Sequence, residues 1–66
     1  MPHAEMNEAL EKAIHEADFV VQDLRAALAH SSAVESIVLL GLIERGAKIG
    51  SEIRALYAAI REDERE

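Results

Sequence analysis

Sixty-six residues, half of them apolar, with two aromatic side chains and no cysteine, suit one small domain built without disulfides or thiolate-bound metal. The formal charge of −6, from 13 acidic against seven basic side chains, speaks against a protein whose affinity comes from neutralising phosphates, because that requires a basic stripe. The longest apolar run, Ile37 to Ile43, falls short of the roughly 20 residues that span a bilayer, and the start of the chain lacks the basic and apolar segments of a secretory signal, so a soluble, cytoplasmic protein is expected.

The only proline stands at position 2, and Ala, Leu, Glu and Arg abound, which favours helix throughout and an all-α fold. From Leu10 the apolar positions run Ile14, Ala17, Val21, Leu24, Leu28, alternating steps of four and three along one side of a helix. Met6, Ala9, Ala13, Val20 and Ala27 widen that seam to an arc of roughly 140° at about 100° per residue, broad enough for two neighbours. This predicts a first helix over about residues 4–29 and a turn at 30–32. Ser32 can cap the next helix, with Glu35 returning its carboxylate in a capping box. So short a connection turns the second helix back antiparallel on the first, giving a helical hairpin.

The second helix is expected over about residues 33–62, with a frayed charged tail at 63–66. Its seam reads Leu39, Leu42, Gly46, Ile49, Ile53, Leu56, Ile60, in phase across Gly46, which favours one long helix over a break at that glycine. Ile37, Leu40 and Ile43, extended by Ala33 and Ala47, point away from that seam and form a second apolar surface. A hairpin alone cannot cover both, so two copies are expected to pair as a four-helix bundle, with all of these second-helix positions from Ile37 to Ile60 as candidate dimer contacts. Gly46 and Gly50, four residues apart, suit close approach of another helix or, equally, a bend or break in this one.

On the first helix, Phe19 lies about 150° from the centre of the apolar arc, among polar neighbours. It is the candidate anchor for a partner protein, with Lys12, His15, Gln22 and Asp23 beside it, since aromatic side chains dominate binding hot spots. The bland reading of the same residue is a single exposed apolar side chain. Glu11, His15 and Asp18 share a helix face, yet the chain has neither the Glu-x-x-His pair of di-iron bundles nor a His-x-x-x-His pair, and no metal or cofactor is expected. The serines form a capping cluster without a positioned base, so an enzyme is not expected either. The first helix is the more acidic, and Glu8/Lys12 and Glu44/Lys48 are candidate surface pairs.

The stretch from Ile37-Val38-Leu39-Leu40-Gly41-Leu42-Ile43-Glu44 through Ile53-Arg54-Ala55-Leu56 resembles the second helix of small bacterial and phage helical-hairpin proteins. Its pattern is similar to that of phage-type anti-activators that bind regulators of quorum sensing. That resemblance implies a non-enzymatic regulator or inhibitor acting on a bacterial regulatory protein, and carries over no site residue. The dimer expected here is similar in architecture to Rop-like pairs of hairpins, which bind RNA; the acidic outer face argues against that activity. The alternative is a subunit or chaperone-like half of a hetero-complex, completed by a different chain.

Overall fold

A computed structural model describes residues 4–64 and contains two helices, α1 (Ala4–Leu28) and α2 (Ala33–Glu64), packed side by side as a hairpin. The Cα trace measures 51 × 14 × 10 Å, two helices wide and one helix thick. Between them the chain tightens before it turns. The amides of Ala29, His30 and Ser31 donate to the carbonyls three residues back, at 3.3, 3.0 and 3.3 Å. This ends α1 at Leu28, one residue before the expected limit, because three-residue closure satisfies the last carbonyls of the helix.

The capping box forms as the sequence predicts. The Ser32 amide donates to Glu35 Oε1 at 2.8 Å, and the Glu35 amide donates to Ser32 Oγ at 3.2 Å. Ser31 locks the other side of the turn, donating its hydroxyl to the Leu28 carbonyl at 2.8 Å and sharing a hydrogen with the Ser36 hydroxyl at 2.6 Å. The cluster of serines is therefore a clasp between the helices.

α2 runs without interruption through Gly46, and no glycine has positive φ, so the three glycines are helical residues. The helix extends to Glu64, two residues past its expected limit, while Arg65 and Glu66 of the expected frayed tail lie outside the described residues, as does His3. Good helix formers and the Arg61–Tyr57 contact extend the last turns.

The seam of α1 lies where its periodicity puts it. Leu10, Ile14, Ala17, Val21, Leu24 and Leu28 are all half-buried against α2. That of α2 differs from the expectation. Apart from Gly41, the residues withdrawn from solvent are Ser36, Leu39, Ile43, Gly46, Gly50, Ile53, Tyr57 and Ile60, whereas Leu42, Ile49 and Leu56 are exposed. Ile43, expected to point away from α1, is the one buried apolar side chain among the described residues, at 9% exposure. The physical reason is close approach. A Cβ on Gly46 would stand 3.0 Å from Val21 Cγ2, and one on Gly50 would stand 3.6 Å from Ala17 Cβ. Both alternations of three and four fit the sequence, and the helices take the one that turns two glycines inward and lets the backbones draw together.

Candidate functional site

The hairpin has two broad faces of opposite character. On one, polar side chains cross between the helices. Arg54 Nη2 donates to both carboxylate oxygens of Asp18, at 2.7 and 2.6 Å. Nearer the open end, the Tyr57 hydroxyl donates to Glu11, and Arg61 Nη1 donates to the Tyr57 oxygen at 3.0 Å. The Arg61 guanidinium also stands 5.7 Å from the Tyr57 ring centroid. The bond to Glu11 holds the Tyr57 phenol above its usual pKa, because ionisation would remove the donated hydrogen and set two anions together; Arg61 opposes this in part. Glu11 and Asp18 thus reach across to α2, while His15 of the same expected face stays exposed. Each lies beside the α1 seam, where an acidic side chain meets whatever base or hydroxyl flanks the seam of an antiparallel neighbour. Lys12 pairs with Glu16 at 3.9 Å. Between Asp18, Arg54, Gln22 and Arg25 runs a shallow groove of about 270 Å³ floored by Gly46 and Gly50.

The other face is apolar. With Asp18 and Glu11 on one flank of the α1 seam, and Arg54 and Arg61 on the matching flank of α2, helical phase puts the remaining flanks together on the far side. Those flanks carry Met6, Ala9, Val20 and Ala27 from α1 and Val38, Leu42, Ile49 and Leu56 from α2, all exposed. Toward the turn this face ends in an apolar hollow of about 450 Å³ lined by Ala27, Val34, Val38 and Leu39 with His30.

The residues proposed as dimer contacts therefore divide. Leu39, Ile43, Gly46, Ile53 and Ile60 contribute to the contact within the hairpin, whereas Leu42, Ile49 and Leu56 lie on the apolar face. Ile37 and Leu40 are exposed on the back of α2, with Ala47 near the polar groove. The proposed partner contacts stay together: Lys12, His15, Phe19, Gln22 and Asp23 are all exposed along the outer edge of α1, and Phe19 is 61% accessible.

Among the described residues no group of three His, Asp or Glu side chains is placed to hold a metal ion, and no helix is long and apolar enough to cross a membrane. Compared with known proteins, the chain matches no protein-family model, no curated protein and no solved structure.

Proposed function

We propose that this protein is a non-enzymatic, protein-binding regulator that acts as a homodimer and engages a second protein along the outer edge of α1. The observation that carries this reading is the ratio of what the hairpin covers to what it leaves open. Among the described residues one apolar side chain, Ile43, is buried, while ten large apolar side chains are exposed. Such a layer is half of a bundle, since patches of this extent mark interaction surfaces in water. A second copy on the apolar face leaves Phe19 open on the edge, among charged and amide side chains suited to a binding rim. Blocking that partner is the expected consequence, in keeping with the resemblance to anti-activators.

The test is the solution mass of the purified protein by light scattering, with circular dichroism on the same peak. A helical species of twice 7.3 kDa supports the reading. A stable, helical monomer overturns the dimer, and a weakly helical monomer favours the second reading, a half that folds on a foreign chain. The observation in favour of that second reading is the exposure of Val34 and Ile37, both 73% accessible, and of Leu40.

A further inference from the structure

The apolar face carries a pattern that says how its occupant lies. On the apolar face Leu42 and Leu56 stand seven residues either side of Ile49, and Val38, eleven residues before it, is matched eleven residues after it by Ile60 at the edge of the hairpin contact. Turned end for end about Ile49, α2 superposes its apolar stripe on itself. This is the condition that an isologous two-fold contact imposes on a single surface. We infer that the apolar face seats a second copy of this chain, laid antiparallel, with the two-fold axis crossing α2 at Ile49. Leu42 then meets Leu56 of the second copy, twice, and the two Ile49 side chains meet on the axis. The inference rests on the self-association proposed above and adds the face and the direction.

Charge gives the direction independently of the apolar stripe. Arg45 lies four residues before Ile49 and Glu52 three after it, both exposed at the rim of the stripe. The antiparallel arrangement brings Arg45 beside Glu52 of the second copy on both sides of the axis. A parallel, in-register pairing of α2 puts the Arg45–Glu52 flanks of the two copies on opposite sides of the contact, so these charges find no partner across it. Neither residue belongs to an ion pair among the described residues, so both are available.

The first helix agrees in position. Gly46 faces Val21 and Gly50 faces Ala17, so Ile49 is level with Asp18. Ala9 and Ala27 lie nine residues either side of position 18, both on the apolar face. The same axis therefore sets Ala9 against Ala27 of the second copy, twice, between the two α1 helices.

The area agrees as well. The chain exposes 5167 Å². A compact protein of its mass exposes about 4,200 Å², so the excess is on the order of 1,000 Å², close to the roughly 800 Å² per partner that a stable interface removes.

The experiment uses the full chain, which has no cysteine, with Leu42→Cys and Leu56→Cys together, oxidised at dimer-forming concentration and digested with trypsin. Cleavage after Arg45, Lys48 and Arg54 separates the two cysteines into different peptides. A disulfide joining the position 42 peptide to the position 56 peptide is expected. It cannot form within one chain, because 14 helical residues span about 21 Å and a disulfide bridges Cα atoms no more than about 7 Å apart. Links of 42 to 42 and 56 to 56 overturn the direction, and a dimer without links overturns the face. A wild-type monomer by light scattering instead overturns the self-association itself. As a second variant, Arg45→Glu is expected to weaken dimerisation about tenfold, and the swap Arg45→Glu with Glu52→Arg to restore it, with helicity unchanged throughout. A single variant without effect, or a swap that fails to rescue, overturns the antiparallel pairing.

Discussion

The Tyr57 hydroxyl can donate to Glu11 only while it keeps its proton, so the stabilisation this bond gives is fully present below about pH 10 and is lost as pH rises through the raised folded value. Because the chain has one tyrosine and no tryptophan, phenolate absorbance reads this group alone. The midpoint is expected above about 10 in the wild type and to fall toward the ordinary tyrosine value in Glu11→Ala. Phe19 presents the opposite situation. Its ring is 61% exposed and faces no other part of the hairpin, so Phe19→Ala is expected to leave thermal stability within about 0.5 kcal/mol of the wild type while abolishing partner capture. A loss of helicity in that variant, read by circular dichroism, shows that the ring is packed in the assembled protein. The Asp18–Arg54 pair, about half exposed on each side, is worth at most about 1 kcal/mol and serves alignment more than stability.

At the level of the helices, the glycines separate two causes of the same residue choice. A Cβ on Gly41 meets nothing within 4 Å, so Gly41→Ala is expected to stabilise the hairpin by up to about 1 kcal/mol through helix propensity alone. Gly46→Ala puts a methyl 3.0 Å from Val21 Cγ2, in the tightest part of the contact, and is expected to cost about 1–3 kcal/mol in chemical denaturation. The helices themselves were legible in the sequence. The α1 seam follows from a run with only one phase, and the Ser32–Glu35 box fixes the start of α2 through local chemistry. The seam of α2 was not legible in the same way. Its first half is apolar on nearly every side, so periodicity offers two phases one position apart, and side-chain size favours the wrong one. Selection between them depends on the distance between backbones, which glycines on one helix and Ala17 and Val21 on the other settle together. The cross-helix partners of Glu11 and Asp18 were hidden for the same reason, since they follow from the phase of α2.

For the whole molecule, a layer one helix thick buries a single apolar side chain among the described residues, so a cover over its apolar face would add to its stability. If a second copy is the cover, the melting temperature depends on concentration: a hundredfold increase adds about 2.7 kcal/mol and is expected to raise the midpoint by roughly 5–10 °C in a calorimetric series. A midpoint independent of concentration assigns the stability to the single chain. The clasp of serines at the turn has a consequence in time as well as in space. Closing so short a connection takes a fraction of a microsecond and helix growth little longer, whereas the meeting of two chains waits on diffusion and slows with dilution. If a second copy is the cover, each newly made hairpin exists first with its apolar face open, for a period set by how many other copies are present. On that proposal, abundance of the chain is the clock that decides when that face closes.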